Sequence, residues 1–275
     1  MIEIKDYIFS RLNRVDCHVL FEGKNKLEKD YPVFAEDSIL FVDNDIKNKN
    51  ESLIPYFEKI EENLSNLIKY KVAYIGKDLE ETKYLVKHHA VEFLGEVKCF
   101  KHYTDSEGVE RTHEDFSIAM CEDFRNIAMF IHLDLIDERS VNFLKQILEM
   151  NPDRPVILCH CGMNSLDDRE KAFKYAVDLQ HKYYNLWLEI SWSCAWDYIG
   201  TDHRKISLID TDRLLLGTDL SKFDTTEEYQ KVLHNFDYWS KKINIRRNVN
   251  KIRQKEGFVQ SKSNQYSNTI LCCIL

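Results

Sequence analysis

Eight short apolar runs punctuate the chain, and a longer stretch with apolar residues at helical spacing follows most of them. The runs are Val15–Phe21, Ser38–Val42, Lys71–Ile75, Phe93–Phe100, Ile127–Leu133, Pro155–Cys159, Leu186–Ile190 and Arg213–Leu216. They are continuous rather than alternating, as parallel strands covered by helices are. Their spacing matches one strand plus a crossover helix.

The intervening stretches carry helix signals. Asp78-Leu79-Glu80-Glu81 is a capping box that predicts a helix through about Ala90. Asp137 opens another, with Val141, Leu144, Ile147 and Leu148 on one face, and Asn151-Pro152 stops it. Ser165 is expected to cap a third, whose inward stripe holds Phe173, Ala176 and Val177. A last helix is expected from Thr225 to about Lys242. The second repeat is the poorest, and its helix, Leu53 to Ile68, rests on period alone.

Eight strand–helix repeats close into a barrel or form an open doubly wound sheet. No glycine-rich phosphate loop follows the first run, which disfavours the nucleotide-binding open sheet. The prediction is an α/β fold, a (β/α)8 TIM barrel over residues 1–245, followed by a basic C-terminal tail over 246–275. The length of 275 residues suits one such domain.

Composition narrows the function classes. A formal charge of −8 argues against a general nucleic-acid binder. No run of 18 apolar residues occurs, and the N-terminus MIEIKDYIFSRLNR lacks the apolar core of a signal peptide. The eight cysteines form no CxxC pair, so free thiols in a reducing, cytoplasmic setting are expected. Homo-oligomerisation stays open.

The chemistry lies at the strand ends, where barrels of this class place it. Five runs carry a metal-type residue there: His18, the pair Glu96 and Lys98, His132, His160 and Asp219. A lone histidine ending an apolar strand is ordinarily a hydrogen-bonded core residue. Five such positions on different strands point instead to a shared site, and imidazole with carboxylate suits zinc, manganese or iron. Cys17, Cys159 and Cys161 flank the histidines. Strand alternation would turn Cys159 and Cys161 toward the helices, as core thiols, when His160 faces inward. Trp192 and Trp196 follow the seventh run, either walling a substrate pocket or packing beneath the loop. The polar segment from His102 to His113 has the length of a lid.

The order of these motifs resembles the amidohydrolase superfamily, most closely its amidohydrolase 2 branch of decarboxylases and lactone hydrolases. The motifs are Asp16-Cys17-His18, Gly95-Glu96-Val97-Lys98, Phe130-Ile131-His132, Ile157-Leu158-Cys159-His160-Cys161-Gly162 and Leu216-Gly217-Thr218-Asp219. The family's first strand carries His-x-His, whereas this chain reads His18-Val19-Leu20, and leucine binds no metal. The resemblance implies His18, His132 and Asp219 as ligands, His160 as ligand or substrate-polarising base, and Lys98 or Glu96 as a bridging ligand. It also implies a divalent cation, zinc foremost. The implied activity is hydrolysis or decarboxylation of a small carboxylate, amide or lactone through a metal-activated water, with Asp219 and His160 catalytic. The competing reading is a catalytically silent barrel that binds a small molecule or a protein partner, with Leu20 marking the loss.

The C-terminus adds one further feature. Eight basic residues and one acid lie between Lys241 and Lys262, and the chain ends Cys272-Cys273-Ile274-Leu275. This has the form of a prenylation signal on Cys272 with a polybasic stretch upstream, which would give peripheral membrane attachment. An accidental ending on a solvated basic helix is the alternative.

Overall fold

The computed structural model describes residues 15–21, 37–42, 52, 54–55, 57–58, 70–73, 79–89, 91–98, 103–104, 110–111, 122–163, 168–219 and 226–254. Eight strands form one sheet: β1 (Val15–Phe21), β2 (Asp37–Val42), β3 (Tyr70–Ala73), β4 (Phe93–Lys98), β5 (Ala128–His132), β6 (Val156–Leu158), β7 (Leu186–Ile190) and β8 (Leu214–Leu216). Their order in the sheet is their order in the chain, every pairing is parallel, and β1 lies against β8. That is the (β/α)8 barrel the apolar runs predict. Each observed strand falls on its predicted run to within two residues at either end.

The helices follow the capping signals. Helix α1 (Leu79–His88) begins directly after Asp78. Helix α2 (Glu138–Met150) is capped by Asp137, whose Oδ1 accepts the Arg139 amide at 3.0 Å. Its buried stripe is Val141, Leu144, Ile147 and Leu148, against the barrel. Helix α3 (Arg169–Lys182) starts later than expected. Its cap position is Asp168, in a left-handed conformation, and Ser165 lies outside the described residues. Phe173, Ala176 and Val177 are buried on its inner face. Two short helices, α4 (Trp192–Ala195) and α5 (His203–Ile206), flank a π-turn at Trp196–Gly200. Helix α6 (Thr226–Ser240) follows β8. Of the helix expected over 53–68, residues 54–55 and 57–58 are helical and the rest lies outside the described residues. In the segment proposed as a lid, Tyr103–Thr104 pairs antiparallel with Glu110–Arg111.

The expected boundary at 245/246 is corrected by the structure, because it cuts into helix α7 (Ile245–Gln254). Ile245, Val249 and Ile252 are buried, and the Asn248 amide donates to the carbonyls of Thr211 at 2.8 Å and Leu214 at 2.7 Å. Three of the basic side chains of this stretch meet acids of the barrel: Arg247 and Lys251 reach Asp212, each at 3.4 Å, and Arg253 reaches Glu92 at 2.5 Å. The charge pattern that read as a free basic tail is in part a docking face. Ile245, Val249 and Ile252 recur at helical spacing, the pattern of a surface helix packed on a core.

No helix among the described residues is long and apolar enough to cross a membrane.

Candidate functional site

His132 is the last residue of β5 and is 3% exposed. It gets there because Met129, Phe130 and Ile131 are fully buried and carry the strand through the core. Its backbone is registered with Lys98 of β4. The β4 ladder is irregular between Leu94 and Val97, so Glu96 falls in a bulge and the simple parity between Glu96 and Lys98 does not carry across it. Gly95 makes the bulge: its φ is +133°, and an added Cβ would sit 2.6 Å from the Phe130 carbonyl oxygen. The side chains of His18, Leu20, Glu96 and Lys98 lie outside the described residues.

After β6 the chain does not continue as a strand. Cys159–Gly162 is a tight turn in which His160 (φ 53°) and Cys161 (φ 52°) are left-handed and Gly162 has φ 72°. Strand alternation therefore does not govern this segment. Cys159 and Cys161 are nonetheless buried, as is Cys17. Burial and, after it, the charge of Glu189 hold the Cys161 thiol well above the ordinary cysteine range.

The turn delivers His160 to the centre of a buried polar cluster. Its ring meets that of His132 edge-on, with centroids 4.9 Å apart. Nε2 is 3.9 Å from Asp219 Oδ2, beyond direct hydrogen bonding. Nδ1 is hydrogen-bonded to Ser191 Oγ at 2.8 Å and lies 3.9 Å from Glu189 Oε2. The backbone N–H of His160 donates to that same Glu189 oxygen at 3.0 Å. Glu189, Ser191, Thr218 and Asp219 are all fully buried. The cluster thus draws on four successive strands, β5 to β8, at the ends where each enters its following loop.

Ionisable groups this deep are costly without mutual compensation. Backbone strain collects at the same place. Of the five non-glycine residues with positive φ among those described, His160, Cys161, Trp192 and Asp219 lie here.

The two tryptophans part company. Trp192 is half-buried, with its ring 5.5 Å from that of His160. Trp196 is fully buried, donates from Nε1 to the Gly217 carbonyl at 2.8 Å and packs edge-on against Phe236. Of the two alternatives for Trp196, these contacts favour packing beneath the loop.

Glu189 and Ser191 are the residues sequence reasoning overlooked. The signal was present: Glu189 is the lone charge in Leu186-Trp187-Leu188-Glu189-Ile190. The same logic that singled out His132 would have found it.

Among the described residues, no three His, Cys, Asp or Glu side chains are grouped so as to hold a metal ion. His132, His160 and Asp219 meet, but do not by themselves form a complete ligand set.

Neither a protein-family model nor a curated protein sequence matches the chain. Solved structures do. A 4-oxalomesaconate hydratase from Rhodopseudomonas palustris is 10% identical with a TM-score of 0.52, over 88% of this chain and 84% of that one. A zinc-bound amidohydrolase from Burkholderia multivorans is 12% identical with a TM-score of 0.51, over 83% and 92%. An uncharacterised TIM-barrel protein from Bordetella bronchiseptica is 12% identical with a TM-score of 0.50, over 82% and 80%. At such identities the likeness is one of architecture. The chain shares the TIM-barrel fold of these proteins.

Proposed function

We propose that this barrel is an amidohydrolase-type enzyme that hydrolyses or decarboxylates a small carboxylate, amide or lactone at the cluster around His160. One observation carries the reading: His132, His160 and Asp219, far apart in sequence, meet in a buried polar group at the ends of β5, β6 and β8.

The donor chemistry fits a divalent cation, zinc first, with manganese or iron as alternatives. His132, His160 and Asp219 are the described residues that would hold it. His18, with Lys98 or Glu96, would complete the set. Such an ion supplies a bound water whose pKa falls to about 7.

The chain's own groups do the rest. In hydrolysis of an amide or lactone, Asp219 would accept a proton from the attacking water and return it to the leaving group. His160 polarises the substrate carbonyl, if it is not itself a ligand. Burial of both side chains strengthens each electrostatic contact, because water is excluded. Trp192, at the edge of the His160 ring, walls the substrate side.

The test is metal analysis of purified protein and of Asp219→Ala and His132→Ala. Stoichiometric metal in the parent, lost in both variants, supports the reading, and no metal in the parent after supplementation sinks it. The silent barrel is the second reading. The leucine at position 20 favours it, since it removes one imidazole from the family's ligand set.

A further inference from the structure

We infer that Glu189 is a positioning residue that holds the left-handed turn after β6 and so delivers His160 to the cluster. The inference deepens the proposed function and rests on it in one respect, that His160 works at this place.

The β6–β7 ladder ends where Leu158 stands opposite Leu188. Beyond that point the chain of β6 turns out of the sheet, and its main-chain donors need acceptors other than the regular carbonyls of a neighbouring strand. Glu189, the next residue of β7, meets the turn twice. Its Oε2 accepts the His160 backbone N–H at 3.0 Å, and its carbonyl oxygen accepts the Cys161 Sγ–H at 3.5 Å. These contacts fall on the two turn residues held at positive φ, 53° and 52°. Backbone of this kind persists where its surroundings over-determine it.

On its other side the turn is fastened by main chain. The Leu135 amide donates to the Gly162 carbonyl at 3.0 Å, and a Cβ on Gly162 would sit 2.5 Å from the Leu135 side chain, so the turn lies close against the loop after β5. The Met163 N–H closes the turn on the His160 carbonyl at 3.0 Å. On the β7 side, the bond to the His160 amide comes from a fully buried side chain. Substitution at position 189 therefore releases that edge and leaves these main-chain bonds in place. With the turn held, the His160 ring stands 4.9 Å from the ring of His132, and its Nδ1 is 2.8 Å from Ser191 Oγ. Outer residues of this kind orient a functional histidine.

The test sets reach against charge. Glu189→Gln keeps an oxygen at the same reach and loses the charge, whereas Glu189→Asp keeps the charge and falls one methylene short. Crystal structures of the parent and both variants read the φ of His160 and the place of its ring. Zinc titration against a competing chelator reads affinity. Glu189→Gln is expected to keep the left-handed turn and the zinc affinity of the parent. Glu189→Asp is expected to release the His160 N–H, move the ring away from His132 and weaken zinc about 10–100-fold. The inference is overturned by a parent in which Glu189 does not bond the His160 N–H, or by a turn unmoved in Glu189→Asp. Loss of zinc in Glu189→Gln with the turn intact also overturns it, because Glu189 would then be a ligand. If Glu189→Asp fails to fold, Glu189→Gln decides by whether its amide oxygen keeps the turn. A parent that takes up no zinc, but whose turn moves in Glu189→Asp, sinks the proposed function and leaves this assignment standing.

Discussion

Asp134, two residues beyond His132, shows how the environment of the barrel mouth acts on a single group. Burial raises its carboxyl pKa above the usual value, the nearby charge of Asp137 adds to this, and a hydrogen bond from the Ile136 amide opposes it. A folded pKa above the unfolded one means that the native state binds the proton more tightly. Stability is then lost as pH rises through this range, and at neutral pH the charged form carries a penalty. Asp134→Asn keeps an oxygen for the Ile136 amide and removes the charge. We expect a higher melting temperature than the parent at pH 7, with the difference vanishing as pH falls below about 4. A difference independent of pH would show that ionisation is not the cause. At this scale the sequence is legible where a polar residue ends an apolar run, as at His132 and Asp219. Glu189 is less legible because it sits one position inside its strand, where a charge reads equally well as one facing the helix layer.

Elements were the most readable level. The strands announced themselves because burial on both faces demands continuous apolar runs, and no other segment of this chain has them in that rhythm. Helix α2 starts after Asp137 because its side-chain oxygen accepts an amide the helix leaves open, and α1 starts at Leu79, where the Asp78 signal predicts it. Two local departures were hidden. The turn after β6 depends on left-handed His160 and Cys161, which no propensity anticipates. The bulge in β4 depends on Gly95, which could have been read as a weak point in a strand. Gly95→Ala puts a methyl group against the Phe130 carbonyl, two residues before His132, at a φ that L residues rarely adopt. Loss of about 1–3 kcal/mol is expected in urea denaturation. A change within a few tenths of a kcal/mol would mean that the bulge relaxes freely.

For the molecule as a whole, the rule that chemistry gathers where strands enter their loops allowed residues over 80 positions apart to be grouped in advance. The end of the domain was misplaced because the charge of α7 outweighed its thin apolar stripe. Termination after Asn244 removes buried Ile245, Val249 and Ile252, each a contribution of about 1.5–3 kcal/mol. It also removes the Asn248 bonds to Thr211 and Leu214. That sum rivals the whole stability of a typical domain, about 5–15 kcal/mol. The shortened protein is expected to lose cooperative melting in calorimetry, whereas a sharp transition near that of the parent would return α7 to the status of a tail.

His160, Cys161, Trp192 and Asp219 all adopt backbone shapes that glycine would take without penalty, and none is glycine. Closing a ring of strands requires no side chain at those corners. Each imidazole, thiol, indole or carboxylate there is held at a backbone cost, so this rim stores strain that replacing any of the four by glycine would release.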